Sequence, residues 1–232
     1  MKNLTRISEP LTQTRLAAYE LLGRLASAFA SPARLKIIQI LAQSPRDVET
    51  LSRVTGESVA NTSQHLQRLT REGVLKSERT GTSKIYSISN PSVLRVWESL
   101  QDLGDNVTAG LREHEDKLTD FSLKPDSGLD HILKEVNAGN ALLIDVREER
   151  EFTSSAPEGS INIPIKLFAS TPEIRKLKLP KKKKLYLFCR GRLCSMATPA
   201  TLALRELGYE AYRITDSPFK LSLIKGGTHE HK

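Results

Sequence analysis

Between Leu11 and Ala30 the apolar residues Leu16, Tyr19, Leu22, Ala26 and Phe29 recur at three- and four-residue spacing, and Leu21, Leu25 and Ala28 widen the stripe. This spacing predicts an amphipathic helix. Ser31 followed by Pro32 reads as a helix start, a serine cap before a proline whose missing N–H costs nothing at the first helical position. Leu35, Ile37, Ile38, Ile40 and Leu41 then supply a core helix that Pro45 closes. Two shorter helical segments follow, "DVETLSRVTG" and "SVANTSQHLQRLTREG", joined through Gly56-Glu57 as in a helix-turn-helix. "GVLKSERTGTSKIYSIS" has two strand-like pieces around Thr80-Gly81-Thr82-Ser83, predicting a hairpin with Arg79 and Lys84 near its tip. Val93, Val96, Trp97, Leu100, Leu103, Val107 and Leu111 return to helical spacing.

After the break "FSLKPDSGL" the pattern changes. "LDHILKEVNAG" predicts a short amphipathic helix, and "ALLIDV" and "KLYLFC" are unbroken apolar runs suited to buried parallel strands, the second followed by a helix. Two domains are expected: residues 1–120, a mainly α winged helix-turn-helix, and residues 121–232, an α/β domain with a parallel sheet. The length of 232 residues agrees. A hydrophobic fraction of 38% and a mean hydropathy of −0.35 describe a globular chain. No apolar run approaches the ~18–20 residues needed to cross a bilayer, and the first residues lack a secretory leader's apolar core. The expectation is a cytoplasmic protein with no membrane partner.

The net charge of +8 invites a nucleic-acid reading, but the excess lies in the second half, largely in "KLKLPKKKKL", which reads as a solvated approach to a strand. Pattern is more informative than charge. On a helical wheel of Ser58–Gly73, Val59, Thr62, Leu66 and Leu69 share one side. Ala60, Asn61, Gln64, Gln67 and Arg68 point the other way, with Ser63 and His65 flanking. Asn and Gln pair bidentately with adenine, and small Ala and Ser permit close approach in a major groove. An ordinary polar helix face is the alternative. The hairpin that follows favours double-stranded DNA as partner, with Asn61, Ser63, Gln64, His65, Arg68, Arg79 and Lys84 as its contacts, Asn61 and Gln64 reading bases and Arg79 and Lys84 meeting the backbone.

Helix-turn-helix followed by a basic hairpin is a winged helix. Over residues 14–90 the segments "FASPARLKIIQILAQ", "ETLSRVTGESVANTSQHLQRLTREGVL" and "SERTGTSKIYSIS" resemble the ArsR family of bacterial transcription regulators. The family's metal sensors carry Cys-Val-Cys where this chain has Asp47, Val48 and Glu49, so the resemblance does not extend to thiophilic metals, and no metal is expected. Family members dimerise through terminal helices. The Leu16–Phe29 and Val93–Leu111 stripes suit either that role, in a homodimer, or packing within the chain.

Both cysteines of the chain, Cys189 and Cys194, fall in six residues where a strand turns into a helix. A helix beginning near Cys194 or Ser195 would direct its free N–H groups and positive end at the loop, and Arg190 and Arg192 add charge, favouring a Cys189 thiolate. "LLIDVREEREF", "EGSINIPI", "CRGRLC" and "LRELGYEAYRI" resemble the rhodanese family over residues 125–226. The resemblance implies Cys189 as the cysteine that carries sulfane sulfur, with Arg190, Gly191, Arg192, Leu193 and Cys194 as its active loop. It also implies Asp145 and Arg147 in support, with no cofactor. Departures are Ser155-Ala156-Pro157 in place of Gly-His-Ile, Leu221 for a usual tryptophan, Pro199 early in the following helix, and Cys194 where many relatives have arginine. The tail contributes His229 and His231, a weak metal pair at most.

These readings join in a regulator whose output is operator binding and whose input is a sulfane-sulfur donor or oxidant at Cys189. The rival is a thiosulfate or persulfide sulfurtransferase that uses its winged helix for dimerisation.

Overall fold

The computed structural model describes the backbone of residues 2–226 and the side chains of residues 11–223; His229 and His231 lie outside the described residues. The chain divides into two compact units, Met1–Val96 and Trp97–Lys232. Residues 97–120, assigned above to the first domain, thus cluster with the second half.

The first unit opens with α1 (Lys2–Phe29) and α2 (Pro32–Leu41), followed by α3 (Val48–Thr55) and α4 (Val59–Arg71), and then by the antiparallel pair β1 (Leu75–Thr80) and β2 (Ser83–Ile88). Local chemistry sets the boundaries. Pro32 occupies the first position of α2, and the buried Arg34 donates back to the carbonyls of Ala28 (2.7 Å) and Ser27 (2.8 Å), satisfying the end of α1. Asp47 caps α3 by accepting from Thr50 N–H at 2.7 Å, and Ser58 caps α4 by accepting from Asn61 N–H at 3.1 Å. Gly56 ends α3 at φ 75°, a left-handed turn that glycine adopts without strain. The core is Ile37, Ile38, Leu51, Leu66, Leu69 and Val74, all fully buried, each worth about 1.5–3 kcal/mol of transfer free energy. Val59, read as inward, is 47% exposed because it opens α4 one turn before the core begins. Of the α1 stripe, Leu16, Tyr19, Leu21, Leu22 and Leu25 are exposed, as is Leu11, whereas Ala28 is buried and Phe29 half-buried at its end.

The second unit takes up α5 (Pro91–Val107) from Trp97 onward, then α6 (Leu111–Thr119) and α7 (Leu129–Asn137). Next come β3 (Ala141–Asp145), α8 (Glu149–Ser155), β4 (Ser160–Asn162), α9 (Thr171–Lys176) and β5 (Lys184–Phe188). The order closes with α10 (Ala197–Glu206), β6 (Ala211–Arg213) and α11 (Pro218–Gly226). The four strands form a parallel sheet in the order β4-β3-β5-β6. Period-two alternation divides its faces. Leu185, Leu187 and Cys189 join one core with Ile144, Ala197, Ala200 and Leu204, while Tyr186 and Phe188 join the other with Ile132, Leu133 and Leu143. The carboxyl ends of the two central strands, Asp145 and Phe188, are register partners, so the loops that follow share one edge of the sheet. No helix among the described residues is long and apolar enough to cross a membrane.

Candidate functional site

In the first unit, α4 presents Ala60, Asn61, Gln64, Gln67 and Arg68 as exposed residues on the side opposite buried Thr62, Leu66 and Leu69, with Ser63 and His65 half-buried between them. Arg68 also donates to Ser27 Oγ at 3.1 Å, and Asn61 Nδ2 reaches Glu57 at 3.5 Å. In the hairpin Thr80 pairs with Ser83 and Arg79 with Lys84, so the turn is the two residues Gly81-Thr82. The Arg79–Lys84 pair sets two like charges directly across from each other, both exposed. Such a pair is destabilising in a free hairpin and fits a surface that meets an anion. Asp47, the residue at the start of the family's metal motif, is engaged as the α3 cap. Among the described residues no group of three or more metal-ligating side chains occurs.

In the second unit the loop Cys189–Cys194 leaves the carboxyl end of β5. Cys189 is 1% exposed; its Sγ lies 3.4 Å from the Cys194 carbonyl oxygen and 3.7 Å from Arg213 Nη2. Gly191 takes φ 99°, and a Cβ there would come within 3.3 Å of Ser217 Cβ, so only glycine fits without displacement. Leu193 is 40% exposed. The following helix begins at Ala197, later than the Cys194 or Ser195 start expected, and Pro199 sits in its first turn, where no N–H is missed.

The guanidinium groups of the two loop arginines are paired with acids rather than with the Cys189 thiol. Arg190 forms a bidentate pair with buried Glu151, Nε–Oε1 2.8 Å and Nη2–Oε2 2.9 Å. Arg192 is held by Asp102 (3.0 Å), Asp105 (2.6 Å) and Glu115 (2.8 Å) on α5 and α6. The expected thiolate at Cys189 is corrected accordingly. Burial, then the neighbouring Cys194, push the Cys189 thiol up. Cys194 is instead lowered to about 6, first by a hydrogen bond from Cys189, then by the N–H groups of Met196 and Arg190 and by the Arg190 charge. The pair therefore loses one proton readily and holds the other.

Asp145 and Arg147 are both fully buried and joined by Nε contacts of 3.0 Å to each carboxylate oxygen and an Nη2 contact of 2.6 Å. Asn162 Nδ2 donates to the carbonyls of both residues at 3.0 Å, tying β4 to the loop after β3. This trio ties the sheet edge on the side from which the cysteine loop leaves. Sequence reading missed Arg213 and the three carboxylates around Arg192. The signal for Arg213 was present: in the strand "AYR", alternation puts an arginine on the same face as Ala211, where an apolar side chain is expected.

Residues 31–77 match the arsR family of bacterial regulatory proteins, and residues 129–223 match the Rhodanese-like domain. The chain is 30% identical to the HTH-type transcriptional regulator Rv0324 of Mycobacterium tuberculosis over 87% of each chain. It is 36% identical to the HTH-type transcriptional regulator YgaV of Escherichia coli over 38% of this chain and 89% of that one. Among solved structures, it is similar to the homodimeric winged helix-turn-helix DNA-binding domain of a possible ArsR-family regulator from Mycobacterium bovis. That likeness has 31% identity and a TM-score of 0.39 over 40% of this chain and 87% of that one. With a relative matched along nearly its whole length and both domains matched in order, the chain belongs to the arsR family of helix-turn-helix regulators, as a member that carries a rhodanese-like domain in its second half.

Proposed function

We propose that this chain is a cytoplasmic, homodimeric operator-binding regulator whose rhodanese-like domain takes up sulfane sulfur at Cys189 and thereby changes DNA affinity. The amide-rich outer face of α4 supports base reading, and the like-charged wing tip supports phosphate contact. The exposed positions of the α1 stripe and exposed Val96, Leu100, Leu103 and Val107 on α5 support a dimer. The observation that carries the sulfur reading is the placement of both cysteines in one loop, with Cys189 buried, whose Arg192 is gripped by α5, the helix that starts three residues after β2.

The Cys194 thiolate accepts the Cys189 proton, and Cys189 Sγ attacks the outer sulfur of a thiosulfate-type donor; the donor S–S bond breaks and sulfite leaves with its electron pair. Cys189 then carries a persulfide. Cys194, once its proton has passed to solvent, attacks Cys189 Sγ, and hydrosulfide leaves with the bonding pair. A Cys189–Cys194 disulfide remains, which requires Cα atoms within about 7 Å. Either product alters the loop that holds Arg192. A tenfold change in DNA affinity needs about 1.4 kcal/mol of coupling.

The test is a gel-shift titration with and without sulfane donor. Donor should change the affinity of wild-type chain and not of Cys189→Ser, and mass spectrometry should find the added sulfur on Cys189. If Cys189→Ser responds like wild type, or persulfidated protein binds unchanged, the sensor reading fails and the sulfurtransferase reading takes its place.

A further inference from the structure

We infer that Arg213 is a positioning residue of the sulfur site, a buried counter-ion that holds Cys189, or the sulfur it carries, as an anion. The inference rests on Cys189 as the sulfur carrier and adds what selects the charge of its cargo. Arg213 ends β6 opposite Leu187, so alternation turns its side chain to the Cys189 face of the sheet. It is fully buried, yet among the described residues no carboxylate lies within ion-pair distance of it. Its Nη2 donates to the Cys194 carbonyl oxygen and stands 3.7 Å from Cys189 Sγ, while Nε and Nη1 have no hydrogen-bond partner.

Every other buried or half-buried cation of the site has its acid: Arg147 has Asp145, Arg190 has Glu151, and Arg192 has Asp102, Asp105 and Glu115. A buried guanidinium without a counter-charge is strongly disfavoured. Among the described residues, the group in contact with Arg213 that can become anionic is the Cys189 sulfur. The charged and titratable groups facing Cys189 are Cys194 and Arg190 from its own loop, with Glu151 of α8 behind Arg190, and Arg213 from β6. Since Glu151 neutralises Arg190, Arg213 supplies the net positive charge. A thiolate or a terminal persulfide sulfur completes that ion pair, and a neutral thiol or thioether does not. The site is thereby built to retain anionic sulfur.

The experiment uses the full chain with Cys194→Ser, which leaves a single thiol, and follows iodoacetamide alkylation of Cys189 against pH. Arg213→Gln should move the midpoint up by about one pH unit and slow alkylation near neutrality about tenfold, with Arg213→Lys recovering most of the loss. An Arg213→Gln profile equal to that of the parent overturns the inference. A second comparison needs no change at Arg213: Cys189→Asp, which places a permanent anion beside the guanidinium, should melt higher than its neutral isostere Cys189→Asn. Equal or reversed melting temperatures also overturn it. Neither readout involves DNA, so failure of the regulatory reading leaves this result intact, and the converse holds.

Discussion

Replacing Arg192 with methionine keeps the aliphatic stem but removes the charge that three carboxylates share. Of these, Glu115 is 3% exposed and Asp105 29%, whereas Asp102 is 54% exposed; the Arg192 side chain itself is 16% exposed. Breaking a buried pair by removing one partner costs about 3–5 kcal/mol, whereas an exposed pair such as Arg192–Asp102 is worth less than about 1 kcal/mol. Partial exposure of Asp105 puts the total at about 3 kcal/mol, because Glu115 alone becomes a fully stranded charge. At roughly 2–4 °C per kcal/mol for a chain of this size, the melting temperature should fall by roughly 6–12 °C. Trp97, the only tryptophan, is buried on α5, the helix that carries Asp102 and Asp105, so its fluorescence reports unfolding at the clamp. Adding Glu115→Gln to Arg192→Met should return much of the loss, since the amide leaves no buried charge. Asp102→Asn alone should cost less than about 1 kcal/mol. A melting shift below about 2 °C for Arg192→Met, or additivity of the two substitutions within about 0.5 kcal/mol, would refute the argument that the clamp is a coupled buried network.

Gln64→Ala should lose about 1–3 kcal/mol of affinity for operator and little for scrambled duplex, whereas Arg79→Ala should weaken both and lower the salt slope by about 1; equal losses on both duplexes for Gln64→Ala would remove its base-reading role. Asp47→Ala should cost about 1 kcal/mol of stability through its lost cap, and zinc should release neither it nor wild type from DNA through residues 47–49, as a metal titration of the complex would reveal. Alkylation of Cys194 should rise with pH around a midpoint of about 6, and Cys189→Ala, which deletes the largest cause of the lowering, should move that midpoint up. Since the folded value lies below the ordinary thiol value, the stabilisation is present above the latter and lost as pH falls through about 6; a pH series of denaturant melts in wild type and Cys194→Ser measures it.

Much of the architecture was written in local patterns. Thr62, Leu66 and Leu69 declare the inner face of α4 by their spacing, and Gly56, Ser58 and Asp47 mark helix ends through chemistry that needs no distant partner. Continuous apolar strands disclosed the parallel sheet in the same way. The site was only half legible. A strand followed by a two-cysteine loop located the sulfur, but the partners of Arg192 come from 77 to 90 positions away, where no periodicity points. Assigning both loop arginines to the thiol took nearness in sequence for pairing, and the acids they pair with are Glu151 and Glu115. The late start of α10 has a similar cause: Cys194, Ser195 and Met196 finish the loop before Pro199 can take a first-turn place.

The wing tip carries a consequence for how ionic strength acts on this molecule. With only Gly81 and Thr82 in its turn, the hairpin fixes the backbone of Arg79 directly opposite that of Lys84, so in free protein two like charges project from paired positions, with the Lys84 ammonium 5.3 Å from the centre of the Tyr86 ring. Added salt screens their repulsion and should tighten the free wing. The same salt removes the counterion-release gain when the wing meets a phosphate backbone. Ordering of the wing and occupancy of DNA should thus run in opposite directions along one salt axis, and the wing should be most frayed under the dilute conditions in which DNA holds it best.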